Sequence, residues 1–183
     1  MNDMNNKVLR YPKEWDSYVY DSTITLALAP PDCGWIRLLL TGSGWTKTAD
    51  VYFSGVYDPI PAFVDWFCAI AQDNLPACVD ANEEGVLCSF VARPVKNRPD
   101  WMELRICRSS LMGEGAKRAK TLHLSRCEKR QFVKEFYRRF TQWLQEDYIP
   151  EQWHRYGRHD DEDEEYCNDP RTLDLEPLKH FIR

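Results

Sequence analysis

The apolar positions of this chain recur with two different periods, and the changes between them divide it into elements. "STITLALAP", Ser22 to Pro30, alternates apolar and polar residues and stops at Pro30 and Pro31, as a strand should. "GWIRLLLTG", Gly34 to Gly42, reads as a second strand ended by the turn Gly42-Ser43-Gly44, and a third follows from Thr46 to Val56. Three successive short strands predict an antiparallel meander.

At "YDPIPAFVDWFCAIAQDN" the period lengthens: Ile60, Phe63, Val64, Phe67, Ile70 and Ala71 fall on one helical face. Asp58 stands where an N-cap belongs, because its carboxylate can accept from the free amides of the first turn. Pro59 then occupies the first helical position, where no donor is missed. The pattern predicts a helix from Pro59 to Gln72, and it gives the Asp-Pro pair a structural reason rather than a catalytic one.

Beyond Pro76 the strand period returns. "ACVDA" and "VLCSFVARPV" flank "NEEG", whose Gly85 can take the positive φ of a hairpin turn. "WMELRICR", Trp101 to Arg108, points Met102, Leu104 and Ile106 inward and Glu103 and Arg105 outward. Gly113 to Lys120 reads as a polar, basic loop. "TLHLS" reads as one more strand, with His123 on the polar face of its sheet.

A second helix follows. Ser125 and Glu128 have the S-x-x-E spacing of a capping box, and Phe132, Val133, Phe136, Tyr137, Phe140, Trp143 and Leu144 recur beyond them as a broad aromatic stripe. A stripe of this width is what a helix packed on a sheet requires, although it can also serve as a groove-binding face. After Trp153 the composition shifts to Gly157, an acidic run and Pro170, and "LDLEPLKHFI" reads as a short closing helix or an extended strap. The expected class is α+β: an antiparallel sheet of about five to six strands with two main helices packed on one face. Residues 1–153 are expected to form the domain, and residues 154–183 an acidic loop and strap belonging to it.

Composition narrows the reading. With 183 residues, 43% of them hydrophobic and 13% aromatic, the chain can fill a core without metals or cross-links. No apolar run approaches the roughly 18 residues a membrane span needs. Met1 to Lys13 is polar and lacks a cleavage site, so a cytoplasmic protein without membrane association is expected. Seven cysteines, an odd number with no C-x-x-C spacing, read as buried thiols rather than disulfides. The best zinc candidates, His154, His159 and Cys167, lack tight spacing and a fourth ligand, so no metal or cofactor is expected.

Catalytic signatures are missing from the sequence. It contains no G-x-S-x-G, no G-x-x-x-x-G-K-[ST], no H-E-x-x-H and no G-x-G-x-x-G. "TGSGWTK", Thr41 to Lys47, has the residues of a phosphate loop without its spacing, and it joins two strands. The pairs Glu83-Glu84 and Asp160 to Glu165 read as solvated carboxylates rather than a tuned acid and base.

Charge is more informative. The net charge is −5, yet Lys117 to Arg139 holds nine Lys or Arg against two Glu, and Phe140 to Arg183 holds twelve acidic against five basic residues. The basic segment could meet nucleic-acid phosphate, but its helical part also reads as the solvent face of an amphipathic helix beside an acidic tail. Nucleic acid is therefore a less favoured partner. The run Asp160 to Glu165 reads either as a solvated loop or as a match for a basic protein surface, where fixed carboxylates speed encounter. Trp153 and Tyr156 flank it, and such residues anchor interface hot spots.

The order "SGVYDPIPAFVDWFCAIAQDNLPACVDANEEG", then "WMELRI", then "QFVKEFYRRFTQWLQEDYIPEQW", is similar to small bacterial proteins of polymorphic-toxin and secreted-effector loci. The resemblance rests on a D-P-[FI] helix, an E-E-G turn and a late F-Y helix ending near Y-x-x-x-x-W, and it spans Ser54 to Trp153. It implies an immunity protein that neutralises a toxin by binding it, and it carries over no catalytic residue. The segment after Trp153 departs from the pattern. On this reading Trp153, Tyr156, Asp160, Asp161, Glu162, Asp163, Glu164 and Glu165 are the expected contacts with a basic toxin or effector domain. The alternatives are an adaptor or effector chaperone that binds without inhibiting, and an enzyme whose site has no familiar signature.

Overall fold

The computed structural model describes residues 20–110, 119–154 and 169–183. Among them the order is β1 (Ile24–Leu28), β2 (Trp35–Gly42), β3 (Ala49–Ser54), α1 (Ile60–Ala71), β4 (Ala77–Asn82), β5 (Val86–Val95), β6 (Arg98–Ser110) and β7 (Lys120–Glu128). Then come α2 (Lys129–Glu146), α3 (Pro150–Trp153), a 3-10 turn (Pro170–Thr172) and α4 (Glu176–Ile182). The class is α+β and the ladders are antiparallel, in the orders β1-β2-β3 and β4-β5-β6-β7. The expectation of one sheet of five to six strands is corrected to a sheet of three and a sheet of four. The physical reason lies between β3 and β4: α1 is inserted there, and β4 takes its backbone partner from β5 instead.

The two sheets nonetheless adjoin at both edges. Before β1, the Ser22 amide donates to the Arg126 carbonyl (2.7 Å) and the Arg126 amide to the Tyr20 carbonyl (2.8 Å), joining the stretch that leads into β1 to β7. At the other edge side chains replace the ladder, as described below.

Alternation places Ile24, Leu26, Ile36, Leu38, Leu40, Val51 and Phe53 of the first sheet in the same core as Phe90, Met102, Leu104 and Ile106 of the second. The helices supply the rest of that core. α1 buries Ile60, Phe63, Val64, Phe67 and Ile70, as its spacing predicts, and Trp66 besides. α2 buries Phe132, Val133, Phe136, Phe140 and Trp143. Phe67 stacks on Phe136 (centroids 3.8 Å apart, planes 5° from parallel), Phe136 on Phe140 (5.2 Å) and Phe140 on Trp143 (5.8 Å). Each such ring contributes roughly 1.5–3 kcal/mol through burial. The Trp143 indole N–H donates to the Ala29 carbonyl (2.9 Å), so the column ends with its one polar group satisfied. The aromatic stripe of α2 is thus core.

Local expectations fare unevenly. α1 begins at Ile60 with Pro59 as N-cap, and Asp58 sits one position further out, where its Oδ1 still accepts from the Ile60 amide (3.3 Å). The capping box does not form. Ser125 is fully buried in β7 opposite Leu104, and Glu128 is extended and makes no side-chain cap bond, because the strand runs straight into the helix. Arg105 alternates as expected, but it is buried together with Val91, Cys107 and Leu124 rather than solvated. His123 stands opposite Ile106 and stacks on Trp45 (4.0 Å, 11°), half-buried, and not on a solvated polar face. Burial holds its imidazole below the ordinary histidine value.

Candidate functional site

Trp153, expected at a partner contact, is 1% exposed and belongs to the core. Its helix is held from beneath: the Gly34 amide donates to the Gln152 carbonyl (2.7 Å), and the Gly55 amide to the Gly34 carbonyl (2.7 Å). A Cβ on Gly55 would lie 2.9 Å from the Trp153 carbonyl oxygen, so this approach requires glycine. An aromatic among polar neighbours in sequence is here turned inward by a four-residue helix, which corrects the expectation of a surface anchor. Tyr156, Asp160, Asp161, Glu162, Asp163, Glu164 and Glu165 lie outside the described residues, as do His159 and Cys167.

The residues on either side of that segment meet at Tyr148. Its hydroxyl is 3.2 Å from His154 Nε2, and the Arg171 guanidinium lies 5.5 Å from its ring centre. Arg171 also pairs with Asp169, and the hydrogen bond holds that carboxyl below its ordinary value.

The exposed aromatic surface lies elsewhere. Among the described residues the large exposed hydrophobics are Tyr52, Val56, Tyr57 and Ile149, so three of the four fall within six consecutive positions. Register builds the surface: Arg37 of β2 stands opposite Tyr52 of β3, and Trp35 opposite Ser54, all on the outward face of the first sheet. Trp35 meets Tyr52 edge to face at 6.5 Å. Arg37 reaches over the Tyr52 ring (5.9 Å) and grips Asp50 with two bonds, Nε to Oδ1 at 2.9 Å and Nη2 to Oδ2 at 2.6 Å. That fork holds the Asp50 carboxyl below its ordinary value.

The edge of β3 is closed by side chains from the second sheet. Glu83, in the β4–β5 turn, accepts from the Tyr52 amide (2.8 Å) and from Arg108 Nη2 (2.8 Å), and the same Arg108 nitrogen donates to the Asp50 carbonyl (2.7 Å). Glu84 accepts from the Ser54 hydroxyl (2.7 Å). One carboxylate and one guanidinium therefore do what a neighbouring strand would do, and they take the groups through which another strand would pair. Backbone strain gathers here too: Cys33 (φ 50), Asp58 (φ 28) and Glu84 (φ 53) are left-handed non-glycine residues around this surface.

Other features have structural explanations. Cys78 and Cys88 are pushed up to about 12 by burial, and Cys107 and Cys127 are raised for the same reason, so these thiols behave as small hydrophobes rather than nucleophiles. Among the described residues no group of three or more His, Cys, Asp or Glu is arranged to hold a metal ion. No helix among them is long and apolar enough to cross a membrane. A cavity of about 20 Å³ lies in the core among Leu38, Phe53, Phe63, Phe67 and Phe136; its walls are apolar and it has room for little more than one water. Four of the basic charges of the α2 region are engaged within the chain: Lys129 with Asp73 (2.7 Å), Arg126 with Asp21 (3.4 Å), Arg138 and Arg139 with Glu135.

The sequence signal for the aromatic surface was present in the outward positions of two neighbouring strands, W-x-R in β2 and D-x-Y in β3. Only the register shows that they form one patch. Comparison of the chain with protein families, curated proteins and solved structures found no match.

Proposed function

We propose that this chain is a cytoplasmic immunity protein that binds a toxin or effector domain and blocks it. The observation that carries the reading is the outward face of β2 and β3, where Trp35, Arg37 and Tyr52 stand together, followed by the exposed Val56 and Tyr57 in the turn after β3. Trp, Tyr and Arg dominate the energetics of protein interfaces, and a solvated sheet face has no folding need for them. The six successive acidic residues Asp160 to Glu165 add negative charge that would attract a basic active site.

The test is protection. Cells expressing the toxin domain encoded beside this gene should survive when the chain is co-expressed, and survival should drop when Tyr52 and Tyr57 are both changed to Ser. Survival that is the same with and without the chain rejects inhibition. A complex that forms without protection would identify an adaptor instead.

A further inference from the structure

We propose that the outer face of β2 and β3 with the Gly55–Asp58 turn is a docking surface for a basic segment, one that presents arginine or lysine side chains. This rests on the reading of the chain as a protein-binding molecule, and it names the surface and the chemistry of what it binds.

Charge is the first argument. Along β3 at Tyr52 stand three carboxylates, Asp50, Glu83 and Glu84, and two guanidiniums, Arg37 and Arg108. Both guanidiniums are already engaged, Arg37 by Asp50 and Arg108 by Glu83. The surface is left with the charge of Glu84 beside part-exposed aromatic rings, and that combination favours a cation over an anion or a purely apolar group.

The second argument is that the surface already holds a guanidinium in this way. Arg37 lies over the Tyr52 ring while its fork is taken by a carboxylate, and it belongs to the wall of the site itself. Tyr57, 53% exposed, offers a second ring in the turn after β3, where its amide donates to the Ser54 carbonyl (3.2 Å), and Glu84, exposed, offers a second carboxylate at the Ser54 hydroxyl. The mode of binding follows from the closed edge. Since the Tyr52 amide and the Asp50 carbonyl are occupied by Glu83 and Arg108, an incoming segment engages side chains and does not add a strand.

The test uses the full chain, ¹⁵N-labelled, with Asp160 to Glu165 replaced by Asn and Gln so that the acidic run cannot gather the probe. The probe is a short peptide of alternating arginine and serine, and the control is the same peptide with glutamate for arginine. The expected result is saturable chemical-shift change at the Trp35 indole and the amides of Tyr52, Val56, Tyr57 and Glu84 with the arginine peptide alone. The combined Tyr52→Ser and Tyr57→Ser variant should raise the midpoint by about tenfold, with an unchanged thermal melt showing that it folds. Shifts spread over other surfaces, an equal response to the glutamate peptide, or no response would overturn the proposal. Because no toxin is present, the two readings separate. Selective shifts without cell protection reject inhibition and keep the docking surface, while protection without selective shifts moves the contact away from this face.

Discussion

Two groups of aromatic residues in this molecule share a residue class and differ in everything around them. Phe67, Phe136, Phe140 and Trp143 stack in the core with no charge among them, and their one indole N–H is paired. Trp35 and Tyr52 stand on an outward face with Arg37 and Asp50 beside them, and Tyr57 is exposed in the turn that follows β3. The core group is phenylalanine-rich because a buried hydroxyl would need a partner. The surface group is tyrosine-rich because a ring with a polar tip can stay wet until something covers it. Aromatic content alone therefore says nothing about which group binds a partner; the polar company does.

The contrast can be broken most forcefully in the column. Phe136→Ala should cost about 3–5 kcal/mol by urea unfolding, since it leaves a hole facing Phe67 and Phe140. Trp153→Ala should fall in the same range if that residue is core, whereas a loss within ~0.5 kcal/mol would return it to the surface. Next comes the seam. Glu83→Ala removes the acceptor of the Tyr52 amide and the partner of Arg108, and should cost roughly 1–3 kcal/mol, with Glu83→Gln losing less because an acceptor remains. An equal loss in both variants would mean that charge, not the hydrogen bond, holds the edge.

A smaller effect should depend on pH. Burial against Trp45 lowers the His123 value from its ordinary 6.5, so the fold prefers the neutral ring. Its contribution is complete above the unfolded value and is lost as pH falls from there through the folded value. Urea midpoints of the wild-type chain should thus decline below pH ~6.5 more steeply than those of His123→Gln; parallel curves would remove His123 as the cause. Smallest of all, Tyr57→Ser should leave stability within ~0.5 kcal/mol, because the ring is 53% exposed, and this near-silence is what separates the patch from the column.

Much of the framework was legible from residue order. The meander, the helix opening at Asp58-Pro59, the hairpin at Gly85 and the stripe of α2 all follow from local periodicity and turn chemistry. The failures were places where distant partners decide. Ser125 and Glu128 have cap spacing, but Ser125 is claimed by the ladder with Leu104. Trp153 looks like a surface anchor in its polar surroundings, yet Gly34 and Gly55 leave room for α3 to close onto the sheet and carry it inward. The predicted contacts Tyr156 and Asp160 to Glu165 lie outside the described residues, so the surface put forward in their place is one that the residue order did not assemble.

By itself the sequence determined the α+β class, the antiparallel hairpins and which face of each helix is apolar, because these depend on contacts a few residues apart. Tertiary structure decided that the seven strands of the described residues form two sheets joined by Glu83 and Arg108, and that Trp35, Arg37 and Tyr52 share one surface. The reason is physical: periodicity reports only whether a side chain faces in or out. Which outward residues become neighbours depends on strand register and sheet edges, and those are set by packing between segments far apart in the chain.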